Sequence, residues 1–150
     1  MAFLSFPDGV RTLLPQLSAD TPAQWGQMTA QHMLEHLIVV TKLSHGAIPA
    51  KVLTPESEWT TRKRFLSNED PFPRNFQNPA LPKEPKPLHY PDFAVARQKL
   101  FTELDRFATY WKENPDSVLP QPIFGPLNRE EWRQFHRKHF THHFAQFGLA

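Results

Sequence analysis

No cysteine occurs among the 150 residues, which removes disulfides, thiolate metal sites and cysteine nucleophiles from consideration together. Any metal held by this chain must take nitrogen and oxygen ligands. Glycine is scarce, with five residues, and neither a Walker-type loop nor a G-x-G-x-x-G turn can be assembled from them. Long apolar runs are missing as well. None approaches the ~20 residues that cross a bilayer, and the opening MAFLSFPDGV has no basic region followed by an apolar stretch, so the expected address is the cytoplasm. Charge of one sign is also lacking. The formal net charge is +2 and the 17 basic residues are spread along the chain, so neither a nucleic-acid nor a membrane partner is expected. The short cluster Arg62-Lys63-Arg64 reads as a solvated face.

What is present is aromatic mass and histidine. Thirteen phenylalanines and four tryptophans within 39% hydrophobic content suffice for one core, so a single domain over residues 1–150 is expected. Eight histidines occur, four of them between His136 and His143. No H-E-x-x-H and no repeated Glu-x-x-His is found, which sets aside the zinc-protease and di-iron carboxylate arrangements.

The clearest helix spans 129–147. Asn128 and Glu131 have the spacing of a capping box, Leu127 and Trp132 that of a hydrophobic staple, and Gly148 is placed to end the helix. Trp132, Phe135, His136, His139, Phe140, His143 and Phe147 follow at three- and four-residue steps. A second helix is expected over 30–45, with Thr29 as cap, Met28 and Met33 as staple, Gly46 at its end, and His36 beside a stripe of Met33, Leu37 and Val40. A third starts near Asp92, carries Phe93, Leu100, Leu104, Phe107, Ala108 and Trp111 inward with no inward ionisable group, and stops at Asn114-Pro115. A first helix over 8–17 is interrupted by Pro15. Nine of the 16 prolines lie between Pro49 and Pro91. That segment is expected to be mostly loop, with a short helix over 55–65 and an extended remainder lying over the helices.

Residues four apart on a helix stand one above the other, about 6 Å apart on one face. His139 and His143 are such a pair and can aim one nitrogen each at a common ion, with His36 of the second helix as the leading third ligand. His32, one turn before His36, makes a four-histidine site conceivable but falls in the first helical turn, where exposure is expected. His136 and His142 point away from the 139/143 face by about 60° and 100°, which suits rim, outer-sphere or surface roles. His45 and His89 read as ordinary loop or helix-end residues. Weighed against all this is a simpler reading, because a histidine on an apolar face is more often a satisfied core residue than a ligand.

The stretch His139-Phe-Thr-His142-His143-Phe-Ala-Gln146 resembles the last-helix motif of the DinB/YfiT-like superfamily, in which a histidine, a second four residues on and a glutamine three beyond recur. Trp25-Gly-Gln-Met28-Thr-Ala-Gln-His-Met-Leu-Glu-His36-Leu is similar to a domain-of-unknown-function branch of that superfamily, where a histidine at the place of His36 completes the site. The resemblance implies an all-α four-helix bundle with a long proline-rich loop between its second and third helices. It further implies a three-histidine site for zinc, nickel or a related ion, in a superfamily that includes metal-dependent thiol S-transferases, a thiol-using isomerase and hydrolases. The broken first helix and the long loop depart from that pattern.

Three neutral imidazoles leave a coordination position open, as in catalytic rather than structural sites. The expectation is therefore a metal-dependent enzyme activating a low-molecular-weight thiol or water against a small substrate, with Gln146 orienting a ligand or the substrate, and His32 and His142 nearby. A non-catalytic metal-binding or dimerising helical module is the alternative, its aromatic faces available to a homodimer. A third possibility is structural histidines and no metal.

Overall fold

A computed structural model of the chain describes residues 2–74 and 84–150. Helix α1 (Asp8–Leu13) gives way to a 3-10 turn over Leu14–Gln16. Pro15 is the cause, since it has no N–H to donate and its ring obstructs the preceding turn. Helix α2 (Ala30–Leu43) begins at Thr29, whose hydroxyl accepts from the His32 backbone N–H. It ends two residues earlier than the sequence pattern predicts, where the Ser44 hydroxyl donates to the Thr41 carbonyl at 2.6 Å. A 3-10 turn (Glu56–Glu58) leads into α3 (Trp59–Ser67), and α4 (Phe93–Glu113) starts from an Asp92 carboxylate that accepts from Val95 N–H. A hairpin of β1 (Leu119–Gln121) and β2 (Gly125–Leu127) precedes the final helix, α5 (Arg129–Gln146).

The chain is thus mostly helical with a small two-stranded antiparallel sheet, which corrects the purely helical expectation. Its register pairs Leu119 with Leu127 and Pro120 with Pro126. Strands of three residues carrying prolines opposite each other show neither an alternating pattern nor β propensity, so nothing in the sequence marked them. The turn is held tightly. Gly125 has φ +79°, and a Cβ there would stand 2.5 Å from the Trp59 indole, so only glycine allows α3 to close on the hairpin. Of the proline-rich segment, α3 occupies the region where a short helix was expected; residues 75–83 lie outside the described residues.

Helix α2 packs chiefly on α4, and α3 on α5. The N-terminal segment closes the other side: Leu4 N–H donates to Thr141 Oγ1 at 2.8 Å, and the Phe6 ring lies 5.0 Å from both Phe107 of α4 and Phe140 of α5. Two buried indoles tie elements together while satisfying their own N–H groups. Trp111 donates to the Ser44 carbonyl at the end of α2, and Trp132 to the Leu119 carbonyl of β1. Leu127 and Trp132, the staple pair, are both fully buried, and Asn128 and Glu131 form the reciprocal capping box. The start of α5 is therefore set by local sequence.

Helix α4 differs from expectation at two positions. Ala108 is exposed and Glu103 is 2% exposed, because the inward stripe runs Phe93, Ala96, Leu100, Glu103/Leu104, Phe107, Trp111. Glu103 is satisfied by His45 Nε2 at 2.8 Å and Arg106 at 2.7 Å. His45 is accordingly a buried hydrogen-bond partner of Glu103 rather than an ordinary helix-end residue.

Candidate metal centre

Helix α5 carries His139 and His143 on one face, one turn apart, and α2 brings His36 against them. Nε2 of His139 lies 3.1 Å from Nε2 of His36 and 3.1 Å from Nε2 of His143. The His36 and His143 rings are 4.9 Å apart between centroids, at 68° to each other. One nitrogen from each of the three thus converges within 4.8 Å of the others, the only such group of three metal-ligating side chains among the described residues.

Three clustered ring nitrogens cannot be satisfied by one another. The amide of Gln146 decides the tautomer of one of them: its Nε2 donates to the Trp25 carbonyl at 2.9 Å, so its Oε1 accepts from Nδ1 of His143, also at 2.9 Å. Nε2 of His143 therefore bears a lone pair and faces His139. That approach requires a glycine next to Trp25. A Cβ on Gly26, at φ +82°, would lie 2.6 Å from Gln146 Nε2. His139 is clamped by Phe135, stacked at 5.1 Å, and by Phe72, edge-on at 5.8 Å.

Burial holds all three imidazoles neutral at pH 7. It pushes His36 down to about 4, with His142 and Lys86 adding repulsion. Burial and the mutual proximity of the rings drive His139 and His143 well below the ordinary histidine value. The donor set suits a divalent transition ion. Nitrogens bound at about 2.0–2.1 Å in a tetrahedral site stand roughly 3.3–3.4 Å apart, close to the 3.1 Å that separates His139 from each of its two neighbours. An outer hydrogen bond on Nδ1, of the kind Gln146 supplies, is the usual accompaniment of a histidine ligand bound through Nε2.

The other histidines fall elsewhere. His32 serves as the third residue of the α2 capping box, its Nδ1 accepting from Thr29 N–H at 3.2 Å, and does not join the cluster. His142 is half-buried at the edge of the cluster, its ring 5.0 Å from that of His143, 5.9 Å from Trp25 and 6.1 Å from Phe72. His136, expected at a rim or surface, is fully buried in an aromatic cage, stacked on Phe6 at 4.4 Å and near Phe107 at 5.2 Å and Trp132 at 5.5 Å. Both its ring nitrogens are without a hydrogen-bond partner among the described residues. The N-terminal segment that covers it is remote in sequence, so helical angle alone placed it wrongly.

Two further residues escaped sequence reasoning. Lys138 is 2% exposed and donates to the Phe65 carbonyl, to Asn68 Oδ1 and to the Asp70 carbonyl, closing the C-terminal end of α3. Gln121 of β1 is 4% exposed and borders a cavity of about 40 Å³ that also touches His139. Lys138 had no marker, since its stem lies beside the aromatic stripe rather than in it. Gln121 sits in a hairpin that the sequence concealed.

A family model described as protein of unknown function (DUF1569) matches residues 63–148. The chain belongs to this family. The DUF1569 match runs from within α3 through α4 and the hairpin to the end of α5, and includes His139, His143 and Gln146, whereas His36 lies before it. Comparison with curated proteins and with solved structures finds no match. No helix among the described residues is long and apolar enough to cross a membrane.

Proposed function

We propose that this protein is a metal-dependent cytoplasmic enzyme built on the DinB-like four-helix plan, with α1, α2, α4 and α5 as its helices and His36, His139 and His143 as ligands to one divalent transition ion, zinc or nickel. The convergence of three neutral imidazole nitrogens, one with its tautomer set by Gln146, is the observation that carries the reading. When bound, the ion supplies a Lewis-acidic centre that lowers the pKa of an incoming thiol or water, normally near 8.5 and 15.7, toward neutrality. The reaction class is transfer of that nucleophile to a small substrate, or hydrolysis of one.

The protein's own residues have separable tasks. His36, His139 and His143 offer lone pairs at pH 7 because burial denies them a proton. Gln146 holds His143 in the tautomer that keeps Nε2 unprotonated. Phe135 and Phe72 set the ring plane of His139 and exclude water from one side of the cluster. The cavity beside His139 admits a small molecule to the cluster's edge.

Isothermal titration of untagged, chelator-treated protein with zinc and with nickel tests this reading. One equivalent bound with sub-micromolar Kd is expected. Stoichiometry near zero for both metals would remove the basis of the proposal. Thiol-conjugation and hydrolysis screens on the loaded protein then separate an enzyme from a metal-binding module.

A further inference from the structure

The cavity next to His139 has one polar feature beyond that histidine. Its walls are Val40 and Leu43 of α2, Phe72, Phe135 of α5, and Ile123 and Phe124 of the hairpin turn, and no charged side chain lines it. Gln121 also lines it. Oε1 of Gln121 accepts from the backbone N–H groups of Ile123 at 2.6 Å and Phe124 at 2.9 Å. Reversing the amide would set its NH2 group against two N–H donors, so the orientation is unambiguous. Nε2 of Gln121 is left with two hydrogens and no acceptor among the described residues, in a side chain that is 4% exposed.

The side-chain nitrogens that are both sealed and unpartnered among the described residues belong to His136 and His139. Gln121 Nε2 is not one of them and so reaches accessible space, and a donor open to a cavity with otherwise apolar walls marks a place for an acceptor. We propose that this cavity receives the uncharged carbonyl group of a small substrate, with Gln121 Nε2 donating to the carbonyl oxygen and the apolar walls enclosing a short alkyl substituent. The size agrees: about 40 Å³ compares with roughly 10–15 Å³ of such volume for one water, which leaves room for a group of three or four heavy atoms. The absence of charge agrees as well. In the metal-free protein a carboxylate or ammonium entering these walls would lose its hydration with no ion to replace it, whereas an amide, ester or ketone brings the acceptor that Gln121 lacks. A site built to hydrogen-bond one substrate atom also rejects analogues without it, so Gln121 is a specificity-determining residue. This inference deepens the reading of the histidine cluster, on which it depends only for placing the carbonyl beside a reactive centre.

Titration with acetamide, followed by NMR of the Gln121 side-chain amide and the Val40, Leu43 and Ile123 methyl groups, tests it in metal-free and in zinc-loaded protein at pH 8. The Gln121 amide protons and the methyl groups should shift together and saturate in both forms, while acetate leaves them unmoved in the metal-free form. Gln121→Glu keeps the two acceptor bonds to the turn and removes the donor. It should retain the Ile123 and Phe124 amide resonances and bind acetamide at least tenfold more weakly. Equal affinity in Gln121→Glu, or methyl shifts without a response at Gln121, would overturn the proposal. If zinc binds and acetamide moves nothing, the carbonyl site fails while the metal reading stands. If no metal binds and acetamide still titrates Gln121, the carbonyl site stands while the metal reading fails.

Discussion

Helix α5 packs histidines in two contrasting ways. His139 and His143 meet His36 in a polar cluster with ring nitrogens 3.1 Å apart. His136, one turn before Phe140, is instead enclosed by Phe6, Phe107 and Trp132, with no partner for either nitrogen among the described residues. Both environments suppress protonation by excluding water. Only the first aims lone pairs at a shared point. Burial of a histidine is therefore no mark of a site; convergence is.

The contrast is broken most sharply by removing a ligand. His139→Ala should lose metal affinity by well over 100-fold, more than the 10–100-fold expected for an outer partner, while His136→Phe should bind metal within about twofold of the unmodified protein; titration calorimetry reads both. Gln146→Ala comes next. It removes the acceptor that holds the His143 tautomer, and a loss of roughly 10–100-fold in affinity is expected with the three ligands intact.

The acid limb of stability sharpens the comparison from the other side. Burial lowers His136 to about 3, with the nearby His45 adding to the effect. The unfolded chain takes up a proton near pH 6.5 and the folded chain does not, so the unfolded state binds more protons and stability falls as pH drops from 6.5 toward 3. His136 accounts for up to about 1.4 kcal/mol per pH unit in that window. Denaturant unfolding of His136→Phe at pH 7 and pH 5 should show a shallower decline than the unmodified protein, and an identical decline would place the sensitivity elsewhere. The smallest effect is expected at the shared support. Asn128→Ala, which opens the α5 capping box, should cost about 1 kcal/mol of stability and leave metal affinity unchanged, as thermal unfolding and calorimetry together would show.

Much of the helical framework is legible without tertiary packing. Asn128, Glu131, Leu127 and Trp132 announce α5 because capping and stapling are interactions among residues three to five apart, and Thr29 announces α2 in the same way. The pairing of His139 with His143 follows from helical rise alone. Glu103 was also within reach, since it lies seven residues after Ala96 and four before Phe107, on the same stripe; its charge argued against burial, and only its partners His45 and Arg106 make that burial tolerable. The hairpin, Lys138 and the cage around His136 offered no comparable signal, because each depends on chain segments tens of residues away.

Local spacing, then, decided where α2 and α5 begin and which faces carry His36, His139 and His143, since backbone hydrogen bonds and side-chain periodicity act over a few residues. Tertiary packing alone decided that three rings point at one place, that His136 is sealed beneath Phe6, and that Gln121 stands at a cavity wall. Those outcomes depend on how helices and the hairpin close over one core, a contest of burial among distant residues that no short window of sequence contains.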